Sequence, residues 1–331
     1  MSATMSATMS DAGSTAAPLR LLVTGRAGQV ALALAERAAA AGHVVLPLAR
    51  PEVDLAADAD TLARAFATAI ADHRPDAVIS AAAFTAVDLA ESEEQAALAI
   101  NATAPGLLAR AAADHGLPVL HLSTDYVFDG TLDRPYREDD PVNPLSAYGR
   151  TKRAGEIAVA AANPDHAILR TAWVYSPFGK NFVKTMLRLG ETRSEVGVVA
   201  DQVGCPTGAH AIADALIAIA GTLTQRPDEA SLRGIFHLTG SPDPSGRPTS
   251  WADFATAIFK GAARRGRAPV AVRPITTADY PTPAKRPANS RLDGTKLAAV
   301  HGLTLPPWPA SLEACLDRLL TANPDAERLT A

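Results

Sequence analysis

Apolar runs alternate with alanine-rich stretches through the first half of the chain. "LRLLVTG" (residues 19–25) is a short apolar run ending in glycine, and "QVALALAERAAAAG" (29–42) follows at once, which reads as strand, tight turn and helix. "HVVLPLA" (43–49) is a second buried strand and "TLARAFATAIADH" (61–73) a second helix. "DAVISAAA" (76–83), the helix "EEQAALAINATAPGLLARAAADHG" (93–116) and the strand "PVLHLST" (118–124) continue the alternation. Strands that are apolar throughout, instead of at every second position, are covered on both faces, as in a parallel sheet flanked by helices. The pattern predicts an α/β fold built on a doubly wound parallel sheet.

Beyond Tyr175 the pattern is mixed. "NFVKTMLRLG" (181–190) reads as a helix, "VGVVADQ" (196–202) and "GIFHLTG" (234–240) as strands, and "SWADFATAIFKGAARRG" (250–266) as a capped amphipathic helix. Proline is dense from Pro274 to Pro309. We therefore expect a dinucleotide-binding domain over 19–177. A smaller mixed α/β, mainly substrate-binding region is expected over 178–331, with some strands returning to the main sheet. The opening "MSATMSATMSDAGSTAAP" repeats MSAT and has neither a signal-peptide nor a transit-peptide pattern, so residues 1–18 are expected to be a disordered extension.

Composition narrows the function. With 331 residues, 47% hydrophobic, the chain can bury a large core. A net charge of −4 argues against nucleic acid or an anionic membrane as partner, and no apolar run reaches the length of a membrane span. The two cysteines, Cys205 and Cys315, lie far apart and suggest neither a disulfide framework nor a zinc site; they fit a reducing cytoplasm.

The loop "TGRAGQVA" sets Gly25, Gly28 and Ala31 at three-residue spacing between a strand and a helix. Missing side chains let backbone amides approach a pyrophosphate, and the helix N-terminus stabilises its charge, so a Rossmann-like dinucleotide site is expected here. At the end of the second strand, Arg50 suits a 2′-phosphate, with Asp54 and Leu55 following on the adenine side. That favours NADPH over NADH; a solvated loop arginine is the plain alternative.

"SAYGRTK" (146–152) places Tyr148 and Lys152 on one helix face. A phenol has a pKa near 10, and an ammonium about 4 Å away can lower it by up to roughly three units. Thr124 ends a strand at the carboxyl edge of the sheet, where such folds bind ligands. Thr124, Tyr148 and Lys152 thus form an acid constellation beside a hydride donor.

These motifs resemble the extended short-chain dehydrogenase/reductases, and within them the dTDP-4-dehydrorhamnose reductase family. The carriers, over about residues 19–320, are "GRAGQV" (25–30), "AAAFTAVDLAES" (81–92), "LSTDYVFDG" (122–130), "YGRTK" (148–152), "LRTAWVYS" (169–176), "NFVKTML" (181–187), "DQVGCPT" (201–207) and "YPTPAKRPANSRL" (280–292). The resemblance implies NADPH- or NADH-dependent reduction of the C4 carbonyl of dTDP-4-dehydro-β-L-rhamnose, the last step of dTDP-L-rhamnose biosynthesis. It places Gly25, Gly28, Gln29 and Val30 at the pyrophosphate, Ala83, Phe84 and Thr85 along the cofactor, and Val87 near the sugar. Thr124, Asp125, Tyr148 and Trp173 would contact the sugar, with Tyr148 as proton donor. Asn181, Arg286, Asn289 and Arg291 would reach the diphosphate, each arginine having a structural salt bridge as its alternative. Asn101 is expected to brace the active-site helix.

Three departures stand out. Ala31 replaces a frequent third glycine, and Phe84 a frequent histidine. Some relatives dimerise through magnesium held by glutamates, and here Ala33 and His210 occupy those positions, poor donors for so hard an ion. No metal and no metal-bridged dimer are expected, and the oligomeric state stays open. Two other functions also stay open: reduction of a different dTDP-4-keto-6-deoxysugar, and a non-catalytic regulatory subunit of an S-adenosylmethionine synthetase.

Overall fold

The computed structural model describes residues 17–241 and 246–320. All but the last two residues of the expected extension at 1–18 lie outside the described residues. β1 (Arg20–Thr24) runs into α1 (Gln29–Ala40), β2 (Val44–Leu48), α2 (Ala59–His73) and β3 (Ala77–Ser80). α3 (Val87–Ala90) and α4 (Glu94–Leu98) lead through a π-helical turn at Ala99–Thr103 into α5 (Ala104–Ala113), then β4 (Val119–Thr124), α6 (Ala147–Ala162) and β5 (His166–Thr171). The second half supplies β6 (Val174–Tyr175), α7 (Phe182–Gly190), β7 (Glu195–Val199), β8 (Val203–Gly204), β9 (Thr207–Gly208) and α8 (Ala209–Gln225). After these come β10 (Gly234–His237), β11 (Thr249–Ser250), α9 (Trp251–Arg264), β12 (Ala271–Ile275), α10 (Thr295–His301) and α11 (Trp308–Leu320).

Six strands form one parallel sheet in the order β10-β5-β4-β3-β1-β2. Successive residues of each strand face opposite layers. Leu21 and Val23 pack with Leu34 of α1 and Ile212, Leu216 and Ile219 of α8, whereas Leu22 packs with Phe66 and Ile70 of α2 and Leu108 of α5. This is the expected doubly wound fold, and β10 and α8 come from the second half of the chain. β2 departs from the buried strand expected at 43–49: it is the sheet edge, and Val44 is 43% exposed. The helix expected over 93–116 is broken by the π turn, which inserts a residue into the helical ladder beside α6.

A second core lies over the carboxyl end of the sheet. There α7, α9 and α11 bury Val183, Met186, Phe254, Ile258, Leu312 and Leu316 against Val196 and Val198 of β7. α9 starts with a reciprocal capping box between Ser250 and Asp253. Among the described residues, no helix is long and apolar enough to cross a membrane.

α6 passes very close to its neighbours. A Cβ at Gly155 would run into the Asn101 carbonyl oxygen of the π turn and lie 3.4 Å from His121 Nε2. Ordinary propensity would make Gly→Ala inside a helix stabilising. Here Gly155→Ala is expected to lower stability by about 1–3 kcal/mol through overpacking, read from urea midpoints; a stabilised variant would refute the close crossing.

Candidate active site

The chain reverses its winding between β1 and β3, and the ends of these strands form a crevice. Thr24 Oγ1 accepts the amides of Ala81 at 3.0 Å and Ala82 at 3.1 Å, fixing the crevice width. Gly25 turns there with φ +96°, and a Cβ on it would press on Ala82 at 3.4 Å. Gly28 precedes α1 with no side-chain cap, no acidic residue follows in the first turn, and the space a Cβ at Gly28 would take is open. The helix amides therefore face a gap able to take an anionic group, which fits a dinucleotide pyrophosphate.

Across the crevice, α6 carries the expected pair. Ser146 caps it by accepting the Gly149 amide at 3.2 Å, and Glu91 Oε1 accepts the Ala147 amide at 2.8 Å. Tyr148 then meets Tyr126 edge-on, with ring centroids 5.4 Å apart. Burial pushes the Tyr148 phenol up to about 12, the Asp125 carboxylate adds to the shift, and the Thr124 hydroxyl hydrogen-bonds the phenol and opposes it. Thr124 also donates to Asp125 Oδ1 at 2.9 Å. Asp125 is itself buried, which raises its carboxyl to about 6 against hydrogen bonds from Ser290 and Thr124.

Lys152 is 3% exposed, and burial lowers its ammonium to about 8, with Glu156 opposing. Its Nζ donates to the Leu122 carbonyl at 2.6 Å and lies 3.5 Å from His121 Nε2. The expected lowering of the phenol by this ammonium is thus absent: burial and Asp125 set the Tyr148 shift, and Lys152 is tethered to β4.

One α6 carboxylate anchors the whole arrangement. Glu156 takes a two-pronged contact from Arg170 on β5 at 2.7 and 2.8 Å, the Ser123 hydroxyl at 2.7 Å, and Arg153 at 2.8 Å. Burial disfavours its charge, but Arg170 and the other donors more than offset this and hold its pKa below the ordinary value.

The RmlD substrate binding domain model matches residues 19–321. The chain is 49% identical to a dTDP-4-dehydrorhamnose reductase of Sinorhizobium fredii, with 93% of this chain and 100% of the relative covered. It superimposes on a dTDP-4-dehydrorhamnose reductase structure from Clostridium acetobutylicum with a TM-score of 0.80 at 38% identity, covering 91% of this chain and 99% of that one. The enzyme of that name from Bacillus anthracis, in complex with NADP, gives a TM-score of 0.79 at 31% identity, covering 91% and 99%. The chain belongs to the RmlD substrate-binding-domain family.

In this RmlD-family chain the sequence-selected residues take unequal places. Thr124, Asp125, Tyr148 and Lys152 converge as described. Ala83, Phe84 and Thr85 follow β3 along the crevice, and Phe84 and Tyr148 both pack against Ala90, Ala97 and Ala147. Asn101 braces this side as expected: its Oδ1 accepts the Phe84 amide at 2.8 Å, and its Nδ2 donates to Thr151 at 3.1 Å. Val30 is half-buried in α1, and Val87 opens α3. Arg50 is exposed past β2, and among the described residues it has no ion-pair partner. Asp54 accepts the Ala56 amide at 3.0 Å, and the half-buried Leu55 packs on the α2-side core.

Several side chains expected at ligands also make contacts within the fold. The Gln29 side-chain oxygen accepts from Ser176 at 2.8 Å and from Asn181 at 3.0 Å. Asn181 caps α7 through the Lys184 amide at 3.2 Å and donates to the Ser176 carbonyl at 2.8 Å. Asn289 is buried, donates to the Leu132 and Arg134 carbonyls, and accepts Arg291 Nε at 2.8 Å. Arg291 also donates to the Asp133 carbonyl, so it braces this loop. Arg286 pairs with Asp88 at 2.8 Å and donates to Thr282, yet it still lines an open cavity.

That cavity, about 470 Å³, lies between α7, β7 and the 280–286 segment, with Arg193, Gln202, Trp251 and Tyr280 in its wall. Trp251 stacks on Trp173 at 3.5 Å between ring centroids, and Trp173 holds a left-handed φ of +52°. A tryptophan in that region is strained, and strain of this kind gathers at ligand sites. Sequence reasoning missed Trp251, Arg193, Asp88 and Glu156. Of these, only Glu156 carried a signal, one helical turn beyond Lys152.

Ala33 is fully buried beneath α8. His210 Nε2 lies 3.0 Å from the Arg318 guanidinium and 3.6 Å from Glu36, which Arg318 pairs at 2.6 Å. Among the described residues, no cluster of three or more histidine, cysteine or acidic groups is arranged to hold a metal.

Arg170→Met leaves the Glu156 charge buried without its main partner. Urea titration is expected to show a loss of about 3–5 kcal/mol at neutral pH. Burial then raises the folded pKa of Glu156 above its unfolded value, so the deficit should shrink as pH falls through that range. A loss independent of pH would refute the electrostatic origin.

Proposed function

We propose that this chain reduces the C4 carbonyl of dTDP-4-dehydro-β-L-rhamnose with NADPH or NADH, giving dTDP-L-rhamnose in the last step of its biosynthesis. The observation that carries this is Tyr148, Thr124 and Lys152 converging opposite an open, uncapped α1 N-terminus, in a chain 49% identical to a reductase of that name. Convergent acid groups beside a dinucleotide crevice are what a reductase needs, and what a non-catalytic subunit does not. Gly25, Gly28 and the first amides of α1 would hold the pyrophosphate, and Lys152 the nicotinamide ribose. When bound, the cofactor supplies the hydride that goes to C4.

The chain's own residues handle the proton. Tyr148, with its pKa near 12, keeps its proton at neutral pH and gives it to the carbonyl oxygen as negative charge develops there. Thr124 orients that oxygen, and the buried Lys152 ammonium, still mainly charged at pH 7, holds the nicotinamide ribose beside it. Asp125, Val87 and Trp173 contact the sugar. The dTDP end takes the 470 Å³ cavity beside Trp251, where Arg193 and Arg286 meet phosphate oxygens. Binding energy from that remote end aligns C4 with the reacting groups. Arg50 at the 2′-position favours NADPH. The cytoplasm, where the two buried, unpaired cysteines stay reduced, is the fitting compartment.

NADPH oxidation assayed with dTDP-4-dehydro-β-L-rhamnose and with other dTDP-4-keto sugars tests the reading; activity on none of them, or on another sugar alone, would overturn it. Tyr148→Phe should cut turnover by roughly 10²–10⁴ while cofactor affinity holds. Near-normal turnover would remove Tyr148 as the donor. We further propose that no divalent metal is needed, since Arg318 already supplies the cation beside Glu36 and His210. Activity and molecular mass should survive EDTA, and a loss restored by magnesium would contradict this.

A further inference from the structure

Every side chain of β4 is buried, and among the polar ones His121 stands out. It has no exposed surface, and it is not part of the Thr124–Tyr148–Lys152 set. Its Nδ1 lies 3.0 Å from Ser80 Oγ on the neighbouring strand, and its Nε2 lies 3.5 Å from Lys152 Nζ. An ammonium has donors only, so Nε2 must accept and carries no proton. The ring is then neutral, its one proton sits on Nδ1, and that proton is donated to Ser80. A protonated ring would set two cations face to face in a buried site. The Leu122 carbonyl takes a second Lys152 proton at 2.6 Å. Two of the three N–H bonds of Lys152 are thus directed by β4, which aims the third.

We propose that His121 is a positioning residue: its neutral imidazole, locked into one tautomer by Ser80, holds the Lys152 ammonium for its work on the cofactor. The proposal rests on the role given to Lys152 above. The other groups around the pair are accounted for. Glu156, one turn along α6, faces Lys152 but is occupied by Arg170 of β5, Ser123 of β4 and Arg153 of its own helix. His166, at the start of β5, disfavours charge on His121, as does Lys152. Tyr148 lies one turn back on α6, and from the π turn the Asn101 carbonyl packs on Gly155. His121 is therefore the side chain left to accept from the ammonium.

Leucine at 121 fills space without accepting, whereas glutamine can place an oxygen near the former Nε2. A hydrogen bond to the ammonium favours its charged form, so His121→Leu should lower the Lys152 pKa. The alkaline limb of the kcat/KM profile is expected to move about one unit toward acid, and NADPH binding at pH 8, read by nucleotide fluorescence, to weaken about 3- to 10-fold. His121→Gln should restore both. A folded His121→Leu variant with unchanged limb and unchanged NADPH affinity overturns the proposal, as does a His121→Gln variant no better than leucine. If the leucine variant does not fold, Ser80→Ala decides: freeing the tautomer should shift both readouts in the same direction, and no shift rejects the idea. Fluorescence needs no sugar. Wild-type protein that binds NADPH but reduces no dTDP-sugar refutes the proposed reaction and leaves His121 to be judged by binding alone.

Discussion

The site depends on one carboxylate in a place where a lone charge would not survive. Glu156 is buried on α6, and four donor contacts from Arg170, Ser123 and Arg153 make its burial tolerable. Because those donors come from β4, β5 and α6 itself, satisfying Glu156 fixes the helix against the sheet in one register. Arg170 is in turn stacked over Phe128, with its guanidinium carbon 5.0 Å from the ring centroid. Tyr148 and Lys152 sit two turns and one turn upstream on the same face, so their placement follows from this anchor. The close pass of Gly155 over the Asn101 carbonyl has the same effect from the other side.

The sheet was legible in the sequence because burial on both faces writes continuous apolar strands, and the crevice because its glycines follow directly on one of them. The edge position of β2 was not legible, since an edge strand in a doubly wound sheet still needs one apolar face and reads as buried. Nor was the π turn: one extra residue shifts the helical phase by about 100°, but the alanine-rich stretch 93–116 has few large side chains to reveal the shift. Both features depend on which elements become neighbours, and local pattern does not carry that information.

For the site, residue type told chemistry better than it told occupancy. Thr124, Asp125, Tyr148 and Lys152 meet because the end of β4, the short turn just past it and the first turns of α6 come to the same edge. Asn181, Asn289 and Arg291 have the polar groups a diphosphate would want, but loops need those groups too. The carbonyls of Leu132, Asp133 and Arg134 are satisfied by Asn289 and Arg291. A sequence shows the donor and not the competing acceptor. Trp251 was missed for the converse reason: in an amphipathic helix it reads as core, and only its stack on Trp173 brings it to the cavity wall.

The balance of charge in the cleft follows from dryness more than from pairing. Burial raises Tyr148 to about 12 and Asp125 to about 6, and lowers Lys152 to about 8. All three shifts favour the uncharged form, so at neutral pH the cleft rests with its phenol protonated and its charges weakly held. A donor in that condition cannot lose its proton to solvent, yet it answers strongly to new charge nearby, because little water is present to screen it. Negative charge developing on a carbonyl oxygen is such a charge. In the reaction proposed above, the same dryness that makes Tyr148 a poor acid in the resting protein would make it responsive at the moment of transfer. The cost of burying the Lys152 ammonium is met by β4, through the Leu122 carbonyl and the His121 ring.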